Sequence, residues 1–535
     1  MLNIRKFAPL ITGIGLMLLL VTIAFTGCMK VTGGKFIYIL DDAYIHLAFV
    51  KNIVMHNVWG VTRYEHSSSV SSPLWTLILT VIFFITGVNE FVPLVLNILF
   101  SFILITITFL ILRKHSLSNT WITLSLLAVI LLTPITLNIF TGMEHLLQAI
   151  FAMLFIFYAV TMLTKFQSGS KGLPKHELIL FTLAFFLTAV RYEDLILILL
   201  ISSLFFFQKR FLTAVLITLS GIIPLLIFGL ISVYHDGFIL PNSVLMKAGL
   251  PESIKIFIEK DTAAHLFNYI SVNKKLIFLF LISLILFIQQ LKAKKKFMSE
   301  IPLLLFIIAF LILFQKIFSL SFFRYDTYLV IISIVINSIA LYSYLTERFK
   351  TNIDFTFIRK NKIVLICFFT FIIFLAYKSL DTNYVIIASK NIYEQQYQMS
   401  RFISKYYSGD KIALNDIGSV DFFADIHCID LIGIGNNEVT RSKLNSEFDI
   451  TDLKKLPAAN NLKAAFLYKS WFKMLPPEWE KAGTWKIPDN FICGDDEVSI
   501  YATQPGGKDE LIKNLRAFAD ELPVSVIQAL EQSGK

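Results

Sequence analysis

DDAYIHLAFVKNIVMHNVW, residues 41–59, is the stretch on which the reading of this chain turns. It follows the first apolar run and opens on two adjacent carboxylates, Asp41 and Asp42. Charge at the edge of hydrocarbon is costly and is retained where a partner or a function offsets it, so the pair marks a candidate functional site. It also fixes a side. The basic clusters elsewhere in the chain fall on the opposite face of the membrane from this loop.

Composition sets the class. Of 535 residues 56% are hydrophobic and only 16% charged, with a mean hydropathy of +0.69, far from the average for a soluble domain. The net charge of +10 could suggest nucleic acid, but the Lys and Arg residues sit in short clusters between apolar runs and no nucleic-acid module accompanies them. They read as topology signals, so no nucleic-acid partner is expected.

Runs long enough to span a bilayer, roughly 17 to 25 residues, lie near 8–27, 91–112, 121–139, 145–164, 212–233, 301–319, 327–346 and 363–380, with shorter ones near 178–190, 195–207 and 276–291. Threading them alternately collects Arg5-Lys6, Arg113-Lys114, Lys165 to Lys175, Lys209-Arg210, Lys292 to Lys296 and Arg348 to Lys362 on one side, the cytoplasm by the positive-inside rule. SPLWTLILTVIFFITG, 72–87, is too short to span, and counting it would invert every later cluster. It is expected to lie in the outer interface. The fold class expected is therefore a polytopic α-helical membrane protein of about eleven transmembrane helices, with interfacial helices in the first outer loop and a C-terminal soluble α/β domain. The boundary falls at 380: residues 1–380 form the membrane domain and 381–535 the extracytoplasmic one.

In that outer domain KIALNDIG (411–418), HCIDLIGIG (427–435) and AAFLYKSWF (464–472) read as buried strands, the first two ending in Gly-containing turns. FTGC at 25–28 loosely matches a lipoprotein cleavage box, but a plain first transmembrane helix is the expectation. Cys428 and Cys493 fall where an oxidising compartment would permit a disulfide, and two unpaired thiols are expected.

The threading places five polar loops outside. The first holds Asp41, Asp42, His46, Lys51 and Asn52; the second Glu144; the third Arg191-Tyr192-Glu193-Asp194; the fourth His235, Asp236, Asn242 and Lys247; the fifth Arg324, Tyr325 and Asp326. Each alone has a structural alternative, such as a snorkelling side chain or an internal ion pair. Both charge signs converging on one side point to a shared cavity.

The order and wording of these loops carry a resemblance. DDAYIHLAFVKN is similar to an acidic pair followed by Ala-Tyr-Ile and later a basic residue and Asn, and SSPLW (71–75) to a Ser-Pro-Leu-Trp segment. TGMEH (141–145) resembles a small-Gly-Leu-Glu motif, LTAVRYEDL (187–195) a Thr-Arg-Pro-Glu segment and LPNSVLMKAG (240–249) a Pro-Asn and Lys-x-Gly segment. Arg324-Tyr325 matches an Arg-Tyr pair, and NDIGSVDFFAD with IDLIGIG resembles the start of an outer domain. Together they resemble the GT-C superfamily of polyprenyl-phosphate-sugar-dependent membrane glycosyltransferases, nearest the bacterial arabinofuranosyltransferases and more distantly the protein O-mannosyltransferases and lipid A aminoarabinose transferases. Met143, Tyr192 and His46 depart from the pattern.

The resemblance implies an enzyme of the bacterial inner membrane performing an inverting transfer from a polyprenyl phosphate donor to an envelope glycan or glycolipid, with Asp41 as base. The residues fit that chemistry. An acceptor hydroxyl attacking an anomeric carbon needs a carboxylate to take its proton, and a phosphate leaving group needs positive charge rather than a second acid. Asp41 and Asp42 are the catalytic candidates, and Lys247, Arg191 and Arg324 the donor-phosphate ones. His46, Asn52, Glu144, Glu193, Asn242 and Tyr325 are the substrate-binding candidates. Asp42 would raise the proton affinity of Asp41, the pair could hold a divalent cation with His46, or Asp42 could cap its helix. A transporter or flippase of lipid-linked sugars is the rival reading, and a silent assembly protein the third. No broken, repeated halves accompany the loops as a transporter would show.

Overall fold

The computed structural model describes residues 4–167, 174–247, 262–293, 295–318, 323–350, 381–445, 450–455 and 460–532. Long apolar sequences close their backbone hydrogen bonds within one segment, and helices follow. They are α1 (Ile4–Val31), α2 (Asp42–His56), α3 (Pro73–Thr86), α4 (Val92–Lys114), α5 (Asn119–Leu132), α6 (Ile135–Phe140) and α7 (His145–Gln167). Next come α8 (Pro174–Val190), α9 (Leu195–Phe207), α10 (Phe211–Tyr234), α11 (Asn242–Lys247), α12 (Thr262–Lys292), α13 (Glu300–Phe318) and α14 (Phe323–Phe349). Among the described residues six helical stretches are long and apolar enough to cross a membrane: Arg5–Val31, Val92–Lys114, His145–Thr164, Phe211–Tyr234, Lys274–Lys292 and Arg324–Phe349. The chain is a multi-pass membrane protein.

One expectation about the spans changes, and another falls outside the described residues. The run at 121–139 is not one helix, because Pro134 supplies no N–H and forces Thr133 into an extended conformation (φ −110°, ψ 152°), ending α5 and restarting the chain as the six-residue α6. The run at 363–380 lies outside the described residues, as do parts of the basic loops after Lys165 and Arg348. The first loop carries two helices, α2 and α3, and Pro73 opens α3 at its first turn, where a missing N–H costs nothing.

Residues 381–392, a π turn at Tyr393–Tyr397 and α15 (Gln398–Tyr406) run on as one helical path into a six-stranded sheet. The strands are β1 (Lys411–Leu414), β2 (His427–Asp430), β3 (Leu462–Leu467), β4 (Glu480–Lys486), β5 (Glu497–Ala502) and β6 (Ile527–Leu530). Their order is β2-β1-β3-β5-β4-β6. β1 pairs in parallel with β2 and β3, and the remaining pairs are antiparallel. The helices α16 (Gly418–Phe423), α17 (Asn437–Leu444) and α18 (Gly507–Phe518) complete the domain. The strand expected over 464–472 stops at Leu467 and turns into a short 3-10 helix at Lys469–Trp471. Cys28, Cys428 and Cys493 are free thiols.

The two halves interlock through their cores. Phe49, Val61 and Val70 of the first loop are buried in the apolar core of the sheet domain, together with Phe402, Phe466 and Trp485. Phe422 of α16 is buried in the other direction, in the membrane-half core with Tyr38 and Tyr44. Each such side chain removed from water contributes roughly 1.5 to 3 kcal/mol, so the sheet domain is seated on the first loop rather than tethered loosely behind it.

Candidate functional site

The first loop is held from below by Gly142. Its φ of +67° suits glycine, and an added Cβ would sit 2.8 Å from the Tyr38 ring and 3.0 Å from the Ala43 Cβ. The turn thus packs tightly under the acidic pair and delivers Glu144, at the head of α7, beside it.

Five charged residues named from sequence, Arg191, Arg324, Asp42, Glu144 and Glu193, meet around one tyrosine. Arg191 and Arg324 place their guanidinium carbons 5.1 and 5.0 Å from the centre of the Tyr325 ring. Arg324 Nη1 donates to Asp42 Oδ2 at 2.7 Å, and its Nη2 to Tyr325 Oη at 3.2 Å. Arg191 donates to Glu144 Oε1 at 2.8 Å and, through Nη2 and Nε, to both oxygens of Glu193 at 2.6 and 3.2 Å. Glu144 is fully buried. Burial works against its charge, but Arg191, His145 and His46 outweigh burial and hold its carboxyl down at about 2. Its second oxygen, Oε2, meets no hydrogen-bond donor among the described residues.

Asp41 faces the other way. It sits at the N-cap position of α2 without capping it, and its two oxygens accept the backbone N–H groups of Gly418 (2.7 Å) and Ser419 (2.8 Å) at the start of α16. Burial raises its proton affinity, the nearby Asp416 carboxylate raises it further, and the two N–H groups pull it back, leaving it at about 8. Both N–H groups favour the ionised form but do not outweigh burial, so the group holds its proton through neutral pH and ionises as pH rises toward about 8. Asp42 is the first residue inside α2 rather than its N-cap, and its carboxylate pairs with Arg324.

His46 is buried, with Nδ1 3.4 Å from Thr76 Oγ1. Burial lowers its proton affinity, while it feels the charges of Glu144, Asp42, Arg191 and Arg324. Two candidates are engaged elsewhere. Asn52 Nδ2 donates to the carbonyls of Gly60 (3.2 Å) and Val61 (2.8 Å), closing the loop after α2. Asn242 Nδ2 donates to Asn437 Oδ1 at 2.9 Å, tying α11 to the sheet domain. Lys247 closes α11, and its side chain lies outside the described residues. Among the described residues no group of three or more His, Cys, Asp or Glu is arranged to hold a metal ion, so Asp41, Asp42 and His46 are not brought together as ligands.

The sheet domain adds residues that the sequence did not flag. Asp416 Oδ2 lies 2.6 Å from Tyr468 Oη and accepts Gln396 Nε2 at 2.9 Å. Lys51 Nζ donates to the carbonyls of Asp421 (3.0 Å) and Phe422 (2.6 Å), at the far end of α16 from Asp41.

Residues 390–501 match a family described as a domain of unknown function (DUF8728). Among curated proteins, none matches the chain. Among solved structures the chain is similar to ArnT from Cupriavidus metallidurans bound to undecaprenyl phosphate, with 9% sequence identity, a TM-score of 0.49, and coverage of 92% of this chain and 99% of that one. Gln396, Asp416, Gly418, Ser419 and Tyr468, the groups gathered around Asp41, all fall within 390–501.

Proposed function

We propose that this protein is a GT-C-type membrane glycosyltransferase of the bacterial inner membrane. It moves a sugar, with inversion, from a polyprenyl-phosphate donor to an extracytoplasmic envelope glycan or glycolipid, and its sheet domain lies outside the cytoplasm. The observation that carries the reading is the pair of guanidiniums that both lie about 5 Å from the Tyr325 ring centre, one bonded to Asp42 of the acidic pair and the other to the buried Glu144. Buried arginines are costly unless they serve binding or structure, and planar guanidiniums suit phosphate oxygens.

The roles follow from charge. The acceptor hydroxyl attacks the anomeric carbon, the new glycosidic C–O bond forms as the C–O bond to phosphate breaks, and the hydroxyl proton passes to Asp41. The polyprenyl phosphate departs as an anion, stabilised by Arg324, Arg191 and Lys247. Because Arg324 is already paired with Asp42 at 2.7 Å, the donor phosphate competes with a carboxylate for it. A sugar hydroxyl is a donor that fits the open oxygen of Glu144. His46, Glu193 and Tyr325 surround the sugar, and Asn52 and Asn242 contribute by shaping the loops to which they are bonded.

The test is release of polyprenyl phosphate from labelled polyprenyl-phosphate sugars in lipid vesicles supplied with acceptor extract. Release by the wild type and none by Asp41→Asn supports the reading. Labelled lipid crossing the bilayer with no release from any donor would replace it with a lipid-linked sugar flippase.

A further inference from the structure

Parallel strands β1 and β2 are joined by residues 415–426, with α16 as the crossover. Such a connection brings the polar end of its helix out at the carboxyl end of the first strand, where Asn415 and Asp416 also emerge. Here that edge is turned onto the acidic pair. Asp41 accepts one N–H on each oxygen, and two bonds to separate oxygens fix the plane of a carboxylate where one bond would let it rotate. Lys51 lies ten residues on, roughly 15 Å along α2, and holds the other end of the same helix through two carbonyls. A carboxylate at the start of α16 and an ammonium at its end also match the direction of the helix dipole.

The contact leaves no slack. A Cβ on Gly418 would lie 2.1 Å from the Asp41 carbonyl oxygen and 2.9 Å from its Oδ2. Two residues earlier, Asp416 is braced by Tyr468 and Gln396. The π turn Tyr393–Tyr397 presents Gln396 together with Gln395, whose Oε1 lies 2.6 Å from Tyr468 Oη.

We propose that the sheet domain is the positioning element for Asp41: α16, gripped by Asp41 at one end and Lys51 at the other, fixes where that carboxylate points, and the braced Asp416 sets the charge beside which it works. This rests on Asp41 being the base of the transfer reaction, and it gives the matched domain of unknown function, residues 390–501, a role in that reaction. Gly418 and Asp416 are positioning residues, acting through Asp41.

The titratable groups facing Asp41 are Asp42 and Tyr44 on its own helix and Asp416, Asp421, Tyr468 and Cys493 from the sheet domain. Burial raises the proton affinity of Asp416 as well, so the two buried acids oppose each other's ionisation, and removing Asp416 makes Asp41 easier to ionise.

The full-length protein in vesicles is the material for the test, with Asp41→Asn, Gly418→Ala and Asp416→Asn alongside wild type. Gly418 has an ordinary negative-side backbone, so alanine there probes the contact rather than backbone strain. The expected result is a fall in kcat on the order of 100-fold for Gly418→Ala, with the donor KM within about threefold of wild type. Asp416→Asn is expected to shift the acid limb of the kcat/KM profile to lower pH, which loss of folding would not do. Amide exchange at 418–419 is expected to quicken in Asp41→Asn. An active wild type and a dead Asp41→Asn, with Gly418→Ala at wild-type kcat or an unmoved acid limb in Asp416→Asn, would overturn the positioning role and leave the transferase standing. Turnover by Asp41→Asn equal to wild type would overturn the base assignment itself.

Discussion

Asp42 and Arg324 form a 2.7 Å ion pair that joins the first loop to the head of α14, across 282 residues of chain. The pair is buried on the arginine side and partly open on the carboxylate side. That asymmetry suits a guanidinium that exchanges one anion for another.

Asp42→Asn is expected to lower the melting temperature, since an arginine buried at this depth loses its counter-charge, a change that costs roughly 3 to 5 kcal/mol for a buried pair. Polyprenyl phosphate is expected to restore more of that loss in the variant than it adds to wild type, because the phosphate no longer competes with Asp42. Thermal unfolding in detergent with and without the lipid reads both effects. Equal ligand-induced shifts in the two proteins would remove Arg324 from the phosphate site.

Asp41→Asn is expected to reduce transfer by roughly 100- to 10,000-fold, the range for removing a general base. Its structural cost is smaller: the amide keeps one acceptor for Gly418 or Ser419 and loses the other. A modest fall in melting temperature with donor binding retained is the expected signature, measured by lipid binding on the purified variant.

Glu144 gives stability an acid limit. Its folded pKa is depressed to about 2 from 4.5, so its contribution is fully present above the unfolded value and is lost as pH falls from about 4.5 toward 2. The size is on the order of 3 kcal/mol by linkage. Unfolding measured across that window should show this loss in wild type, and Glu144→Gln should flatten it.

Glu65 works with the opposite sign. Burial raises its pKa to about 7, against the help of Asn436, which donates to Oε1 at 2.9 Å. The folded state therefore holds the proton longer than the unfolded one, and stability falls as pH rises from about 4.5 to about 7. Glu65→Gln is expected to raise the melting temperature at pH 8 and leave it nearly unchanged at pH 4; a gain of equal size at both would assign the effect to packing rather than charge.

The membrane half was legible because long apolar runs bounded by basic clusters have one stable outcome in lipid, and α1, α4, α7, α10 and α14 follow them. The break at Thr133-Pro134 was less legible, because the apolar density of residues 121–139 outweighed the single proline. β1 and β2 could be read from their apolar cores and Gly-containing turns. β4, EKAGTWK, could not, since its polar and small residues give no alternation and its place comes from pairing with β5 and β6. At the site, charged side chains announced Asp41, Asp42, Glu144, Arg191 and Arg324, though not that each arginine already has a carboxylate. The partners of Asp41 are backbone N–H groups, which every residue but proline carries, so no residue type gives them away. The only local sign was the Gly in NDIG.

The order of synthesis gives the Asp41 contact a further meaning. Asp41 precedes Gly418 by 377 residues, and at about 5 to 20 residues per second the ribosome takes roughly 20 to 75 s to deliver its donors. Asp42 gains Arg324 sooner, after 282 residues. The described membrane helices are thus synthesised well before Asp41 acquires the N–H groups that fix its plane. A chain released before Gly418 keeps the Asp42–Arg324 pair but leaves the Asp41 carboxylate unheld, so the first loop waits on the last third of the polypeptide for its final setting.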